Sequence, residues 1–461
     1  MNESLQFAKY IANAKYDDIP SDVVKTCKNS LLDGLGVMLA ATGLGEGCEH
    51  FASVAMAESN KGKSTILSNG AKVSACMAAF ANGSLAHALD YEDLGPGGHP
   101  NASSIPAILA VAESIGNVSG KDFITALVVG SDVYCRLGLA QGEGEDIHLM
   151  EAGWYPPSIR GAFGATASVC KLLGLTPEQV LDAFSLTLCQ ATCSFEFNFS
   201  TRSVIRAVRD AFSTKAGVIS ALLAKEGVAG FDQPIEGKAG FFTMYARGNY
   251  DRNKLTYGLG KVFEGGNATF KAWPACGGTH PYIQAALQIA SDNDIKPAEI
   301  EEVKYFLLTP NKMLSEPLED KRHPTAAIGA KFSIPFCIAT ALVHKNVTLD
   351  HFTPEALQNQ NVLQVAQKIN YEITSDHNRN YAAPRGLIQV KTKNQEVSSK
   401  GSEFIYGHPK NPMSQDELLS KFTNCLKYSA RKIPEENINK IIQFISNLEN
   451  AEDITEVMNY C

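Results

Sequence analysis

The chain has only two tryptophans in 461 residues, charged side chains make up only 20% of it, and no apolar run approaches bilayer thickness. The longest apolar windows, Ile105 to Ala112 and Phe123 to Gly130, fall far short of the ~20 residues a spanning helix needs. The opening Met1-Asn2-Glu3-Ser4-Leu5 lacks the basic and apolar regions of a secretory leader. Lys and Arg number 41 against 49 Asp and Glu, a net charge of −8. That leaves no basic surplus for nucleic acid. The eleven cysteines are odd in number and scattered, with no CxxC. A disulfide framework is therefore not expected, and a reducing, cytoplasmic location is. The spacing also argues against an iron–sulfur cluster. No GxGxxG follows a strand, and no Walker A loop, HExxH or GxSxG elbow is present.

What is present is an ordinary globular balance, 44% hydrophobic, at a length that predicts two or three domains. The first ~265 residues read as successive helices. Ser21 precedes an apolar stripe running from Val23 to Met38. Ala71 to Leu89 is apolar all round, as in a buried bundle helix. Further helices are predicted near Lys121 to Leu139, Gly161 to Leu173 and Ser203 to Lys225. Thr176-Pro177-Glu178-Gln179 is a helix start with a capping box. Phe195 to Phe199 alternates and predicts an extended segment. After about Gly265 the pattern mixes strands (Val303 to Leu308, Leu387 to Val390) with helices (Tyr282 to Ser291, Ala327 to His344, Pro354 to Ile369). From Ser414, another capping box, helices return. The prediction is a mainly α protein with an α+β insert. A large all-helical domain would be formed by both termini, 1–266 and 401–461, with a smaller α+β lid domain at 267–400.

Three stretches carry chemistry. Asp90-Tyr91-Glu92-Asp93-Leu94-Gly95-Pro96-Gly97-Gly98-His99 ends a buried helix in three carboxylates and delivers a histidine through glycines. Crowded carboxylates raise one another's pKa, and a histidine titrates near neutrality, so this group can move protons. The alternative is acids solvated at a helix end, with His99 capping the next helix. Lys271-Ala272-Trp273-Pro274-Ala275-Cys276 to His280-Pro281 lies at the expected domain junction, where small-molecule sites form. Lys271 could anchor a carboxylate. Cys276 is a candidate nucleophile or a small buried apolar group, and His280 a ligand or a helix cap. Arg206 and Arg209 lie one turn apart and suit a di- or tricarboxylate, or else a solvated face with Asp210. Gly142 to His148 holds possible metal ligands but reads as a surface loop.

In this order the stretches resemble the MmgE/PrpD family, which includes 2-methylcitrate dehydratase, cis-aconitate decarboxylase and iminodisuccinate epimerase. The resemblance runs through His87-Ala88-Leu89-Asp90-Tyr91-Glu92-Asp93 with His99-Pro100, then Gly161 to Leu175 and Arg206 to Gly230. It continues through Lys271 to Pro281 and Ala330-Lys331-Phe332-Ser333-Ile334-Pro335. It implies a homodimer, a site between two domains, and no metal or other cofactor. Asp90, His99 and Lys271 match the family's active-site positions. Four positions differ from the decarboxylases. Tyr155 stands where they have His, Arg206 where they have Lys, and Phe336 where they have Tyr. Leu94 stands where Thr is common, in a loop one residue shorter.

The resemblance implies a lyase or isomerase that moves a proton beside a carboxylate of a small di- or tricarboxylic acid. Dehydration or hydration of a 2-methylcitrate-like acid leads; epimerisation or decarboxylation of a related polycarboxylate follows. Asp90 is the expected base or base-orienter and His99 the acid, with Tyr155 a further proton donor. Lys271 and Arg206 would clamp carboxylates. Arg209, His280, Leu94 and Phe336 complete the expected binding set. Two rival classes remain: a non-catalytic, carboxylate-binding dimeric scaffold, and a metal- or thiol-dependent hydrolase using Cys276 and His280.

Overall fold

The computed structural model describes residues 2–461 apart from 60, 201, 294, 308, 374–385 and 403. Among the described residues the chain is mainly helical, with a two-stranded ribbon and one four-stranded mixed sheet. The helices follow the expected apolar periodicity, with ends set by local chemistry. Ser74 caps Ala75–Ala86, Thr176 and Ser414 each close a capping box, and Pro occupies the first turn of Pro100–Ile115 and Pro156–Leu172. Pro100–Ile115, Gly120–Glu151, Pro156–Leu172 and Asp210–Lys225 pack together with Ala75–Ala86 as the central bundle. Gly120–Glu151 is long and apolar enough to cross a bilayer by length and composition, but 89% of its apolar window is buried inside the protein.

The sheet lies within 300–399. Its strand order is Ile369–Ile373, Ile300–Leu307, Ile388–Thr392, Glu396–Ser399. The first pair is parallel and the other two are antiparallel. Both expected strands are present, although Leu308 lies outside the described residues.

Several expectations need correction. Phe195–Phe199 is a 3-10 helix, not an extended segment: Ser194 caps it, and Phe195 and Phe197 fold onto Tyr155. Gly142 to His148 is not a surface loop but the far end of Gly120–Glu151, kinked at Gly142. It is held there because Asp146 pairs with the buried Arg160 at 2.7 Å and Glu145 with Arg247 at 2.8 Å. The expected helix over 71–89 shortens because Lys72–Val73 pairs with Ser64–Thr65. Ala327 to His344 is two helices, Ala327–Lys331 and Ile334–His344.

After the sheet, Gln415–Leu426 packs on Ser21–Leu44. Its Lys421 ammonium lies 2.6 Å from Asp33 and donates to the Tyr91 carbonyl at 2.7 Å. A residue late in the chain thereby braces the 90–93 segment from below. Burial pushes the Asp33 carboxyl up to about 6, against the pull of Lys421. Removing one partner of such a pair leaves an uncompensated buried charge, whereas removing both does not. Lys421→Met is expected to cost about 3–5 kcal/mol, and adding Asp33→Leu to restore most of it. Urea unfolding of the single and double variants checks this.

Candidate active site

Helix Ala75–Ala86 ends at His87, and the chain turns through Asp90 with φ +47°. A non-glycine residue there is held only when its surroundings fix it. Lys271 does so: its ammonium donates to the Asp90 carbonyl at 2.8 Å and to the Asp90 carboxylate. Asp93 then accepts from Ser30 and Asn101, each at 2.6 Å. Leu94 pairs with Thr269 as an isolated antiparallel bridge. Gly98 (φ +132°) is required, because a Cβ there would lie 2.5 Å from the Tyr134 hydroxyl. That hydroxyl accepts from the His99 N–H and donates to the Gly97 carbonyl. Arg160, fixed by Asp146, also donates to Gly97. His99 begins Pro100–Ile115 without capping it through its side chain, so its ring is available.

The ring turns to Glu92. One Glu92 oxygen, Oε1, is hydrogen-bonded to His87 Nδ1 and lies 2.7 Å from His99 Nδ1. The two imidazoles meet edge to face at 4.5 Å. Asp90 Oδ1 lies 3.8 Å from His87 Nε2 and 3.9 Å from His99 Nε2. The side chains of Asp90, Glu92, His87 and Lys271 are at most 2% exposed, and that of His99 is 12% exposed. His99 is therefore the member of this group that solvent, or a substrate, can meet. Burial pushes the His87 imidazole down to about 4, with Arg209 adding to the effect. Burial alone would raise Asp90 and Glu92. Lys271 and the two imidazoles together outweigh it at Asp90, and the two imidazoles outweigh it at Glu92, so both carboxyls are held below their ordinary values. Only Asp93 is raised, by burial. The crowding expected from sequence is thus overridden by cations and N–H donors, and none of the three acids is solvated.

A second group is cationic. Arg206 and Arg209 do not form a solvated face; both are buried. The Arg206 guanidinium lies 4.0 Å from the Phe332 ring centre, 4.9 Å from Phe197 and 5.8 Å from Tyr155. Nη2 donates to Asn198 Oδ1 at 2.8 Å, and the buried Nη1 has no partner among the described residues. Arg209 lies over the Tyr155 ring at 4.7 Å and 3.7 Å from Asp210. Tyr155 thus sits against both guanidiniums. Two lysines that carried no assigned role lie nearby, Lys321 beside Arg206 and Lys331 beside Asp90 and Lys271. Lys331 donates to the Leu89 carbonyl at 2.7 Å, and Lys321 to the Phe332 carbonyl at 2.8 Å. Burial pushes each amine down to about 8, helped at Lys321 by the Arg206 charge.

The structure joins Asp90, His99 and Lys271, with Arg206, Arg209 and Tyr155 forming a neighbouring cluster. It adds His87 and Glu92, which lay within the matched motif but carried no assigned role. Phe336 is not brought to this group: its ring is buried in apolar packing near Phe352, and Met313 instead packs against the Tyr155 cluster. His280 neither caps nor lies open. It starts His280–Asp292 fully buried, with Nε2 donating to the Trp273 and Ala275 carbonyls. Burial raises the Cys276 thiol, with Asp90 adding to the effect.

Donor atoms of His87, Asp90, Glu92 and His99 all lie within 4.8 Å of one another, a donor set that could hold a divalent cation. They fit one poorly as arranged. Both Nδ1 atoms face Glu92, and an ammonium already occupies Asp90 Oδ1.

Residues 5–253 match the MmgE/PrpD N-terminal domain and residues 273–447 the MmgE/PrpD C-terminal domain. The chain belongs to the MmgE/PrpD family. Among its relatives, a cis-aconitate decarboxylase-like protein of Aspergillus oryzae is 27% identical, covering 99% of this chain and 96% of its own. The cis-aconitate decarboxylase of Mus musculus is 25% identical (97% and 91%), and that of Aspergillus terreus 23% (98% and 94%). The first match ends at 253 and the second begins at 273, two residues after Lys271, so this MmgE/PrpD chain draws Asp90, His99 and Arg206 from the first and Lys321 and Lys331 from the second.

Burial pushes His280 down to about 3, with Lys271 adding to the effect. The unfolded chain takes up a proton at this position below about pH 6.5, whereas the folded protein does not until near pH 3. The stability His280 contributes is therefore present above pH 6.5 and is lost as the pH falls below it. Relative to His280→Gln, the wild type is expected to lose about 2 kcal/mol between about pH 7.5 and pH 5. Denaturant titrations of both proteins at the two pH values measure this.

Proposed function

We propose that this protein is a lyase that acts on a small polycarboxylate without a cofactor, removing a carboxylate group in the manner named for its relatives. The observation that carries the reading is positive charge without ion-pair partners, on the buried Arg206 and Lys331 and the half-buried Lys321. Lys271 is matched by Asp90, and Arg209 by Asp210. Arg206, Lys321 and Lys331 have no acidic partner within ion-pair distance among the described residues. Unmatched buried cations are costly, and a ligand bearing several carboxylates would compensate them.

In this reading Arg206 takes one carboxylate through its free Nη1, with Arg209 and Tyr155 fixing its plane. Lys271 does not clamp substrate; it holds Asp90 ionised and in place beside the reacting carbon. As the bond to the departing carboxylate breaks, carbon dioxide leaves. The electron pair passes into the adjoining unsaturated acid, where the fixed cations stabilise it. His99 then delivers a proton to carbon.

A second reading, dehydration of a related hydroxy acid, rests on Tyr155. The resemblance implies His at that position in the family's decarboxylases, and a phenol is a weaker acid than an imidazolium. The same clamp would then serve removal of the carbon-bound proton by Asp90, its electron pair forming the double bond as the hydroxyl leaves as water with a proton from His99.

Purified protein is offered cis-aconitate, citrate, 2-methylcitrate and iminodisuccinate, with products followed by NMR. Turnover of cis-aconitate with release of carbon dioxide is expected, unchanged by EDTA. His99→Ala should lower kcat about a hundred- to ten-thousand-fold, and Arg206→Met should chiefly raise KM. Ordinary turnover by His99→Ala would remove the mechanism. Thermal stabilisation by polycarboxylates without any product would make the protein a binding scaffold.

A further inference from the structure

We propose that Glu92, anchored by His87, is a positioning residue: it holds the His99 ring through Nδ1 and leaves Nε2, beside Asp90, as the atom that exchanges a proton with substrate. This rests on the reading of His99 as the proton-transfer group.

Glu92 Oε1 faces two imidazole Nδ1 atoms at once, and its hydrogen bond is made with His87. A carboxylate accepts but cannot donate, so His87 presents N–H to it in a hydrogen bond. His99 Nδ1, 2.7 Å away but outside hydrogen-bond geometry, is favoured as N–H because a bare lone pair there would face those of the carboxylate. His87 is enclosed, and its free Nε2 points only toward Asp90, 3.8 Å away. It cannot reach a substrate and serves to fix the Glu92 carboxylate. His99 differs in one respect: its side chain is partly exposed. With Nδ1 turned to Glu92, its Nε2 lies 3.9 Å from Asp90 Oδ1.

The backbone under the ring is fixed independently, since Tyr134 accepts from the His99 N–H and Gly98 leaves room for that hydroxyl. The other charged or titratable groups around this pair are Asp93, Lys271, Lys331 and Arg209. None of them is hydrogen-bonded to either ring nitrogen of His99. Glu92 is therefore the group that selects the tautomer.

The proton balance is simple. When Nε2–H delivers its proton to carbon, the carbon's electron pair forms the new C–H bond and the ring becomes neutral. Nδ1–H stays on Glu92, whose charge does not change. In the reverse direction Nε2 receives the proton and Glu92 stabilises the imidazolium.

The test is long-range proton–nitrogen NMR of the full chain labelled with nitrogen-15 histidine, without substrate, with His99 assigned by its loss in His99→Gln. The neutral His99 ring is expected to carry its proton on Nδ1, and Glu92→Leu to lose that signature while thermal unfolding shows a folded protein. A wild-type ring protonated on Nε2, or a signature unchanged in Glu92→Leu, overturns the proposal. If Glu92→Leu does not fold, the wild-type tautomer decides alone. Turnover without the signature removes this inference only; the signature without turnover of any polycarboxylate removes the reading beneath it.

Discussion

The ion pair between Asp90 and Lys271 is the constraint on which the rest of the site depends. It joins residues 181 positions apart, both fully buried, and it holds a non-glycine residue in a left-handed conformation. Buried charges on this scale persist only when paired and hydrogen-bonded. Lys271 meets both demands, since its ammonium reaches the carboxylate and the carbonyl of the same residue. The turn at Asp90 in turn sets where Glu92 and His99 fall. The pair therefore acts as a fixed corner from which the imidazoles are hung, and its own charge is spent inside the protein.

That expenditure changes how the other cations are understood. With Lys271 neutralised, the charge that can meet a ligand is on Arg206, Lys321 and Lys331. The two lysines reach only backbone carbonyls, which accept a proton donor without cancelling its charge. Their amines are lowered to about 8, so they remain largely protonated at neutral pH at the cost of burial. A protein gains nothing in stability from such an arrangement. In the reading proposed above, its use is to receive anionic groups where partial burial makes each contact count for more than at the open surface.

Much of the fold was legible in the sequence because it rests on local signals. The capping boxes at Thr176 and Ser414 and the apolar stripe from Val23 to Met38 are periodic or short-range, and they appear where expected. The segments misjudged are those whose conformation is decided by distant partners. Phe195–Phe199 alternates like a strand, but Tyr155 and Arg206 draw its rings to one side. Gly142 to His148 is polar like a loop, but Arg160 needs Asp146. The site divides the same way. Asp90 and His99 lie in one ten-residue stretch and could be paired by inspection. Lys321 lies more than 200 residues on with no local pattern to mark it, and Lys331 lies in a matched segment that gave it no role. Phe336 was assigned by position in a family pattern, and the helix beginning at Ile334 turns it into the apolar core instead.

A guanidinium at position 206 is not interchangeable with an ammonium in this setting. A lysine ammonium is a compact charge that spends its donors in all directions, whereas a guanidinium is a plane with two faces and an edge. Here the environment of that plane is occupied by aromatic rings from two parts of the chain, Phe197 and Tyr155 on one hand and Phe332 on the other. The edge is half used, by Asn198. What remains at that edge is Nη1, two N–H donors without a partner among the described residues, with aromatic walls beside it. A carboxylate meeting such a group is held in one orientation more tightly than an ammonium would hold it. The aromatic surroundings are therefore the natural companions of the arginine: they stabilise its charge through their faces while leaving its hydrogen-bonding direction to the ligand.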